Sequence, residues 1–570
     1  MKRTITHKTL AVAGCLSALA FVIPLASADS TLSLQGSCTS LASKLARLDN
    51  TLIDTATRID AGELKVGGHD IAAHCLIQGR MNPRTGIDGA HYAVGFEMRL
   101  PLAWNGRFFY QANGGLDGSV VTATGGLGGG PVTNALDKGF AVLSSDAGHT
   151  AQQNMTFGID PQARLDYGYQ AALRLTPMAK QALQIAYGRR PEHSYFGGCS
   201  NGGRHTFVAM NRLANDYDGF LAGAPGYRLP LAAVASIFGA QQYAKVATDP
   251  NDLSTAFTAQ ERALVAKRVL ARCDALDGAT DGLVQDYPRC QRTFSLWRDV
   301  PTCRGERNGQ CLSIAQKRAI DPIFKGATTR VGKRFYSSFP YDSGLATKDV
   351  ASWEFESPIS RDSLAVGIVF GVPPVSPVTF DGKSLALNSS IDDLLARITR
   401  SNAIYTESAM RFMTPSNPTH LELLRQRGAK VMVYHGVSDP IFSVDDTVAW
   451  YEGLQKSNRG QAERFARLYT VPGMGHCQGG PSTDQFDMLT PLVNWVEKGK
   501  APEQVIATAR GVGNAGGVNA DVPADWSPAR TRPLCPYPRI ALYNGTGDIE
   551  SAASFSCRER PRGSSGNTEL

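Results

Sequence analysis

The chain has 570 residues, enough for two to four domains or for one large domain carrying an insertion. Hydrophobic residues make up 42% and charged residues 19%, which excludes a disordered chain and a polytopic membrane protein. The formal charge of +7 is not gathered into a basic block or stripe, so the composition argues against a nucleic-acid partner.

The N-terminus reads as a secretory signal peptide over residues 1–28. Lys2, Arg3 and Lys8 form a positive region, residues 9–25 are largely apolar, and Ala26-Ser27-Ala28 is a small-x-small cleavage site before Asp29. Cleavage there removes three basic residues and no acidic one, which lowers the charge from +7 to +4. Val12-Ala13-Gly14-Cys15 offers a competing lipoprotein signal, but the apolar run before Cys15 is short and continues well past it. No later stretch holds 18 consecutive apolar residues, so no membrane span is expected. The expected location is secreted or periplasmic.

Residues 92–100, 107–111 and 140–145 are predicted strands, rich in aromatic and β-branched residues between turn signals. Residues 163–187 carry a helical pattern, in which Pro177 predicts a kink or a break into two helices. A strand over 193–197, a helix from about Gly202 and a strand over 218–222 follow. Further strands are predicted over 430–435 and 467–472, with helices near 444–457 and 484–498. Strands alternating with helices imply a largely parallel sheet and an α/β fold. Residues 228–410 differ, with four cysteines, an acidic run and many Pro and Ser residues. They read as an inserted lid domain between the two parts, 29–227 and 411–570, of a catalytic domain.

Gly198-Cys199-Ser200-Asn201-Gly202-Gly203 contains G-x-S-x-G between a predicted strand and a predicted helix. That turn is too tight for Cβ atoms two residues either side of the serine, and it holds the hydroxyl above the sheet edge. The plain alternative is a glycine turn. In an α/β hydrolase an acid and then a histidine follow the serine along the chain. Asp439 lies in the loop after the 430–435 strand, where an Asx-turn is its bland reading. His476 lies in the Gly-rich loop after the 467–472 strand. It alone among ten histidines has this order and context. His435 reads as a structural, hydrogen-bonded residue.

Without Cys15 ten cysteines remain, and export with even parity predicts up to five disulfides. Local spacing pairs Cys38 with Cys75, Cys273 with Cys290, Cys303 with Cys311, and Cys535 with Cys557. Cys199 and Cys477 are left, one directly before Ser200 and the other directly after His476. If Ser200 and His476 hydrogen-bond, these two lie within disulfide reach. The bridge would close a loop of about 280 residues, worth on the order of 5 kcal/mol in the chain-entropy model. Zinc is disfavoured because no CxxC pair exists.

These residues resemble the tannase/feruloyl esterase family, whose signature is a Cys-Ser, Asp, His-Cys set with that bridge. Supporting stretches are Trp104-Asn105-Gly106-Arg107-Phe108-Phe109, Asn113-Gly114-Gly115, Phe157-Gly158-Ile159-Asp160-Pro161 and Asp484-Gln485-Phe486-Asp487-Met488. They look most like the branch that hydrolyses mono(2-hydroxyethyl) terephthalate. The resemblance implies an α/β-hydrolase core, a large lid, and hydrolysis of a small aromatic ester by Ser200, His476 and Asp439. It carries the oxyanion donors to the backbone N–H groups of Gly115 and Asn201, and an aromatic that packs on the substrate ring to Phe442. The lid departs from that branch. Position 201 is Asn where the branch has Glu, and no lid arginine aligns unambiguously with the one that holds the terephthalate carboxylate. Arg361 is the nearest candidate, set against a solvated surface arginine. Trp353 is read either as a pocket tryptophan or as a core residue. Phenolic esters such as gallates and ferulates therefore stay open beside the terephthalate monoester.

Residues 273–283 place Asp274, Asp277 and Asp281 within eight residues, either a calcium loop or a solvated acidic turn. The resemblance implies a structural Ca2+ in the lid, held by those three side chains with the Ala279 and Leu283 carbonyls. Three other readings compete with an aromatic esterase: an idle hydrolase fold that binds phenolics or carbohydrate, a peptidase, and a lipase. Oligomeric state is not encoded legibly.

Overall fold

The computed structural model describes Met1 and residues 31–127 and 134–559. The signal peptide and the Cys15 motif lie outside the described residues.

Nine strands form the central sheet: β1 (Thr51–Ile59), β2 (His74–Thr85), β3 (His91–Pro101), β4 (Arg107–Gln111), β5 (Ala141–Ser145), β6 (His193–Cys199), β7 (Gly219–Gly223), β8 (Lys430–Gly436) and β9 (Ala466–Val471). Their order across the sheet is β9-β8-β7-β6-β4-β5-β3-β2-β1. Pairings from β9 to β5 are parallel, and those from β5 to β1 are antiparallel. The parallel strands are short apolar runs buried on both faces, as helix-covered strands must be. The antiparallel β1–β2 edge was not predicted. β1 carries Asp54, Thr55, Thr57 and Arg58 and is mostly exposed, so its apolar signal is weak.

Helices cover the sheet. The predicted 163–187 helix is interrupted, but not at Pro177. A short helix, Pro161–Leu165, passes through a π-helical turn, Asp166–Gln170, into helix α1 (Ala171–Tyr187). Pro177 sits inside α1, whose buried Leu175, Met178, Ala179 and Leu183 carry it past the missing N–H. Gly188, at φ +73°, ends it. Helix α2 (Asn201–Arg212) follows β6.

The chain leaves the sheet after β7 and rejoins it at β8. The named elements of this insertion are all helical, among them α3 (Leu229–Ala244), α4 (Ala259–Cys273) and α5 (Ile314–Lys325). It has its own apolar cluster around Tyr243, Phe257, Val265, Phe324 and Phe355, to which Val437 and Val444 beside β8 also belong.

Helix α6 (Val444–Ser457) follows β8. The predicted helix 484–498 starts later, as α7 (Leu489–Lys498). Gln485–Phe486 instead pairs with Val505–Thr508 in a small antiparallel sheet. The Asp487 carboxylate accepts the N–H groups of Leu489 and Thr490 and so fixes where the helix can begin. All five disulfides join the pairs expected from spacing and adjacency.

Candidate active site

Ser200 stands between β6 and α2 with φ +65°, a conformation that side chains other than glycine rarely adopt. The flanking glycines are sterically required. A Cβ at Gly198 or at Gly202 would lie 2.3 Å from the Ala112 carbonyl oxygen, and one at Gly198 also 2.8 Å from Gly202 Cα. The tight turn lifts the serine off the sheet edge and makes Asn201 the first residue of α2, where backbone N–H groups lack intrahelical acceptors.

The loops after β8 and β9 bring the other two residues to it. His476 Nε2 is 2.8 Å from Ser200 Oγ, and His476 Nδ1 is 2.8 Å from Asp439 Oδ2. The Asx-turn reading of Asp439 holds at the same time, because its Oδ1 accepts the N–H groups of Ile441 and Phe442 at 3.0 Å. One oxygen shapes the turn and the other faces the histidine. Burial would raise the Asp439 carboxyl, but the charge of His476 and hydrogen bonds from His435 and His476 outweigh it. The group is held well below the ordinary carboxylate range.

His435 is fully buried. Its Nε2 lies 2.8 Å from the Phe442 carbonyl and 3.2 Å from Asp439 Oδ2, and its Nδ1 lies 2.8 Å from the Thr447 hydroxyl. It is therefore hydrogen-bonded, as expected, but it also touches the acid. The Cys199–Cys477 disulfide joins the two loops, with Cα atoms 6.1 Å apart.

Gly115, at φ +64°, belongs to a loop that faces the serine: a Cβ on its neighbour Gly114 would stand 3.8 Å from Ser200 Cβ. The Asn201 side chain is turned away from the serine, donating to Asp117 Oδ2 at 2.8 Å and accepting from Arg204 Nε at 2.8 Å. Sequence reasoning missed Asp117, which ties the Gly115 loop to α2. Its side chain is buried, its φ is +57°, and burial raises its carboxyl well above the usual range. No local sequence pattern marks it.

A cavity opens over Ser200. It is lined by Gly115, Leu116, Tyr167 and Asn201 from the sheet side, by Leu229, Ala233, Arg361, Asp362 and Ala365 from the insertion, and by Ile441 and Phe442 from the acid loop. Phe442 meets His476 edge-on at 5.4 Å between ring centroids, and Trp353 does so at 5.2 Å. Trp353 thus stands beside His476 and, partly buried, also packs against the apolar cluster that holds Ile441 and Phe442. Arg361 is not a free surface arginine either. It lines the cavity, and its guanidinium lies 4.0 Å over the Trp353 ring. Tyr167 was not predicted. Its hydroxyl donates to the Gly115 carbonyl at 3.3 Å.

The acidic loop is less simple than its spacing. Asp274, Asp277 and Asp281 are all buried, as are Ala279 and Leu283. Asp281 Oδ2 pairs with Arg532 at 2.5 Å, and Asp274 accepts the N–H groups of Asp281 and Gly282. Asp277 Oδ2 is buried with no hydrogen-bond partner, and burial, with the charges of Asp281 and Asp274, pushes its carboxyl up to about 7. Among the described residues no three acidic, histidine or cysteine side chains converge as a ready metal cluster.

The sequence profile of the family described as "Tannase and feruloyl esterase" matches residues 77–558. The chain belongs to that family. It is 37% identical over 554 residues to the mono(2-hydroxyethyl) terephthalate hydrolase of Piscinibacter sakaiensis, covering 90% of this chain and 89% of the relative. It is 26% identical over 491 residues to a probable feruloyl esterase B-1 of Neosartorya fischeri, covering 81% and 82%. Among solved structures, feruloyl esterase B from Aspergillus oryzae superposes with a TM-score of 0.73 at 22% identity, covering 91% of this chain and 99% of that one. The fold is that of an α/β hydrolase, and the chain is a carboxylic ester hydrolase of the tannase and feruloyl esterase family. Among the described residues no helix is long and apolar enough to cross a membrane.

Proposed function

We propose that this protein is an exported serine esterase that cleaves esters of small aromatic acids, with Ser200 as nucleophile, His476 as base and Asp439 as acid. The observation that carries this reading is the continuous hydrogen-bond chain from Ser200 Oγ through His476 to Asp439, opening on a cavity walled by Phe442, Tyr167 and Leu229. In the reaction His476 Nε2 takes the Ser200 proton as Oγ attacks the ester carbonyl carbon. The negative oxygen is stabilised by the N–H groups of Gly115 and Asn201. His476 then returns the proton to the departing alcohol, leaving an acyl-serine. Water, deprotonated by His476, releases the acid, and Asp439 holds the histidine tautomer throughout.

Arg361 favours a second reading, a terephthalate monoesterase. Its guanidinium lies 3.4 Å from Asp362 Oδ1 in a cavity otherwise walled largely by Leu116, Leu229, Ala233, Ile441 and Phe442, and as the cation of that wall it suits an acid with a free carboxylate para to the ester. A phenolic acid needs no such partner. A turnover panel separates the two: methyl gallate, methyl ferulate, chlorogenate and mono(2-hydroxyethyl) terephthalate, each with wild type and Ser200→Ala. Wild-type rates in Ser200→Ala would overturn the triad. Turnover of phenolic esters alone would leave Arg361 without the clamp role.

We also propose a structural calcium site at residues 274–283. Its support is the partnerless Asp277 Oδ2 among three crowded, buried carboxylates, whose repulsion a hard cation would relieve. Asp274, Asp277 and Asp281 would hold it with the Ala279 and Leu283 carbonyls. Export rests on the N-terminal segment and accords with five disulfides.

A further inference from the structure

One segment of the insertion, residues 342–353, meets both the acid loop and the base loop. Asp342 is fully buried, and its Oδ2 accepts a hydrogen bond from each loop: from the Ser438 hydroxyl at 2.8 Å and from the Gly473 N–H at 2.8 Å. Ser438 directly precedes Asp439, and Gly473 lies in the turn that leads to His476. Ser438 Oγ also accepts the Gly344 N–H at 3.0 Å. A Cβ on Gly344 would stand 2.5 Å from the Ser438 side chain and 3.1 Å from the Gly473 carbonyl, so the contact leaves no room for a side chain. Further along, Asp349 Oδ1 accepts the Trp353 indole N–H at 2.9 Å, and Trp353 is the ring set edge-on against His476.

Strand pairing cannot by itself space these loops. The β8–β9 ladder ends at Gly436 and Val471, and beyond it the direct ties between the loops include the Ser438 N–H to the Met474 carbonyl at 3.0 Å. Asp439 and His476 must still meet within hydrogen-bond distance. A single buried carboxyl oxygen that takes one donor from each loop fixes their separation. Keeping a carboxyl group there is costly: it is fully buried, its Oδ1 has no hydrogen-bond partner, and burial raises it above the usual carboxylate range.

We propose that Asp342 is a positioning residue for the triad, through which the insertion sets the distance between the acid loop and the base. The inference rests on the triad reading above. It makes the insertion part of the support of the catalytic machinery as well as the cover of the substrate cavity.

The test compares kcat and KM for a p-nitrophenyl ester, and the rate of phosphorylation by diethyl p-nitrophenyl phosphate, in wild type, Asp342→Ala and Asp342→Asn. Displacement of a base by a fraction of an ångström predicts a kcat about 30-fold lower in Asp342→Ala, with KM within about twofold and phosphorylation slowed in parallel. Asp342→Asn keeps an oxygen that can accept both bonds and should restore most of the loss. A folded Asp342→Ala enzyme with wild-type kcat, or with only KM raised, overturns the inference. If Asp342→Ala does not fold, Ser438→Ala replaces it, because it deletes one hydroxyl and one of the two bonds: a lower kcat at constant KM supports the inference, and an unchanged kcat overturns it. Ser200→Ala run alongside keeps the two claims apart. If it is inactive while Asp342→Ala is normal, only this inference fails; if it turns over normally, the triad itself fails.

Discussion

Ser200, Asp439 and His476 lie just beyond the C-terminal ends of the parallel strands β6, β8 and β9, whereas Trp353 and Arg361 come from the insertion. The strand-end residues are placed by local rules: a turn that excludes Cβ atoms, an Asx-turn, a Gly-rich loop and a parallel ladder that puts all three at one sheet edge. The insertion residues are placed by packing. Trp353 sits in a π-helical turn, Ser352–Glu356, and Arg361 opens a short helix before another, Ala365–Phe370. Such turns break helical periodicity, and they recur where side chains are aimed at a site. The sheet thus supplies chemistry that is fixed by geometry. On the proposed reading the insertion supplies selection, and through Asp342 it also braces the loops that it covers.

The sheet half of this comparison is broken most severely at the acid. Asp439→Asn should lower kcat about 10³–10⁴-fold while the protein stays folded, because the amide cannot hold the histidine in its working tautomer. Stability should change in a defined direction as well. The folded Asp439 carboxyl lies below its ordinary value of 3.8, so the stability it contributes is present above that pH and is lost as pH falls through the folded value. Urea melts from pH 5 down to pH 2 should show a shallower acid limb in Asp439→Asn than in wild type.

Removing the bridge between the nucleophile loop and the base loop comes next. Cys199→Ser with Cys477→Ser should lower stability by about 2–5 kcal/mol, read as a denaturation midpoint. A kcat that falls by more than the folded fraction does would show that the bridge also spaces the triad.

The insertion half is sharpened by Arg361→Ala. If the arginine selects the acid, kcat/KM for mono(2-hydroxyethyl) terephthalate should fall about 10–100-fold while that for methyl ferulate changes little. Equal losses on both substrates would assign the arginine to packing on Trp353. The smallest effect is expected from calcium: chelation should lower the melting temperature by several degrees, a shift set by occupancy of the site, and leave kcat of the folded enzyme unchanged. Asp277→Asn should abolish the calcium dependence of the melting temperature.

The same division governs what could be read from the amino-acid sequence. The Gly198–Gly202 turn, the order serine–acid–histidine and the cysteines beside Ser200 and His476 are short-range patterns with a steric or covalent cause, and each lies where it was expected. The polar β1 edge escaped because an exposed strand offers no apolar alternation. The π-helical turn before α1 escaped because local periodicity pointed to Pro177 instead. Asp117, Tyr167 and Asp342 carry no local signal at all, since their meaning lies in partners brought near by the fold. For Arg361 the sequence left two readings, a substrate-binding arginine and a solvated surface one, because its place in the cavity wall depends on how the insertion packs.

The most direct test of the account is to trap the nucleophile. Purified mature protein is treated with diethyl p-nitrophenyl phosphate, and the modified residue is located by mass spectrometry of its peptides. The account predicts one phosphoryl adduct on Ser200, loss of esterase activity in proportion to labelling, and no adduct in Ser200→Ala. Complete inactivation with the label on another residue, or ester turnover that persists after stoichiometric labelling of Ser200, would contradict it.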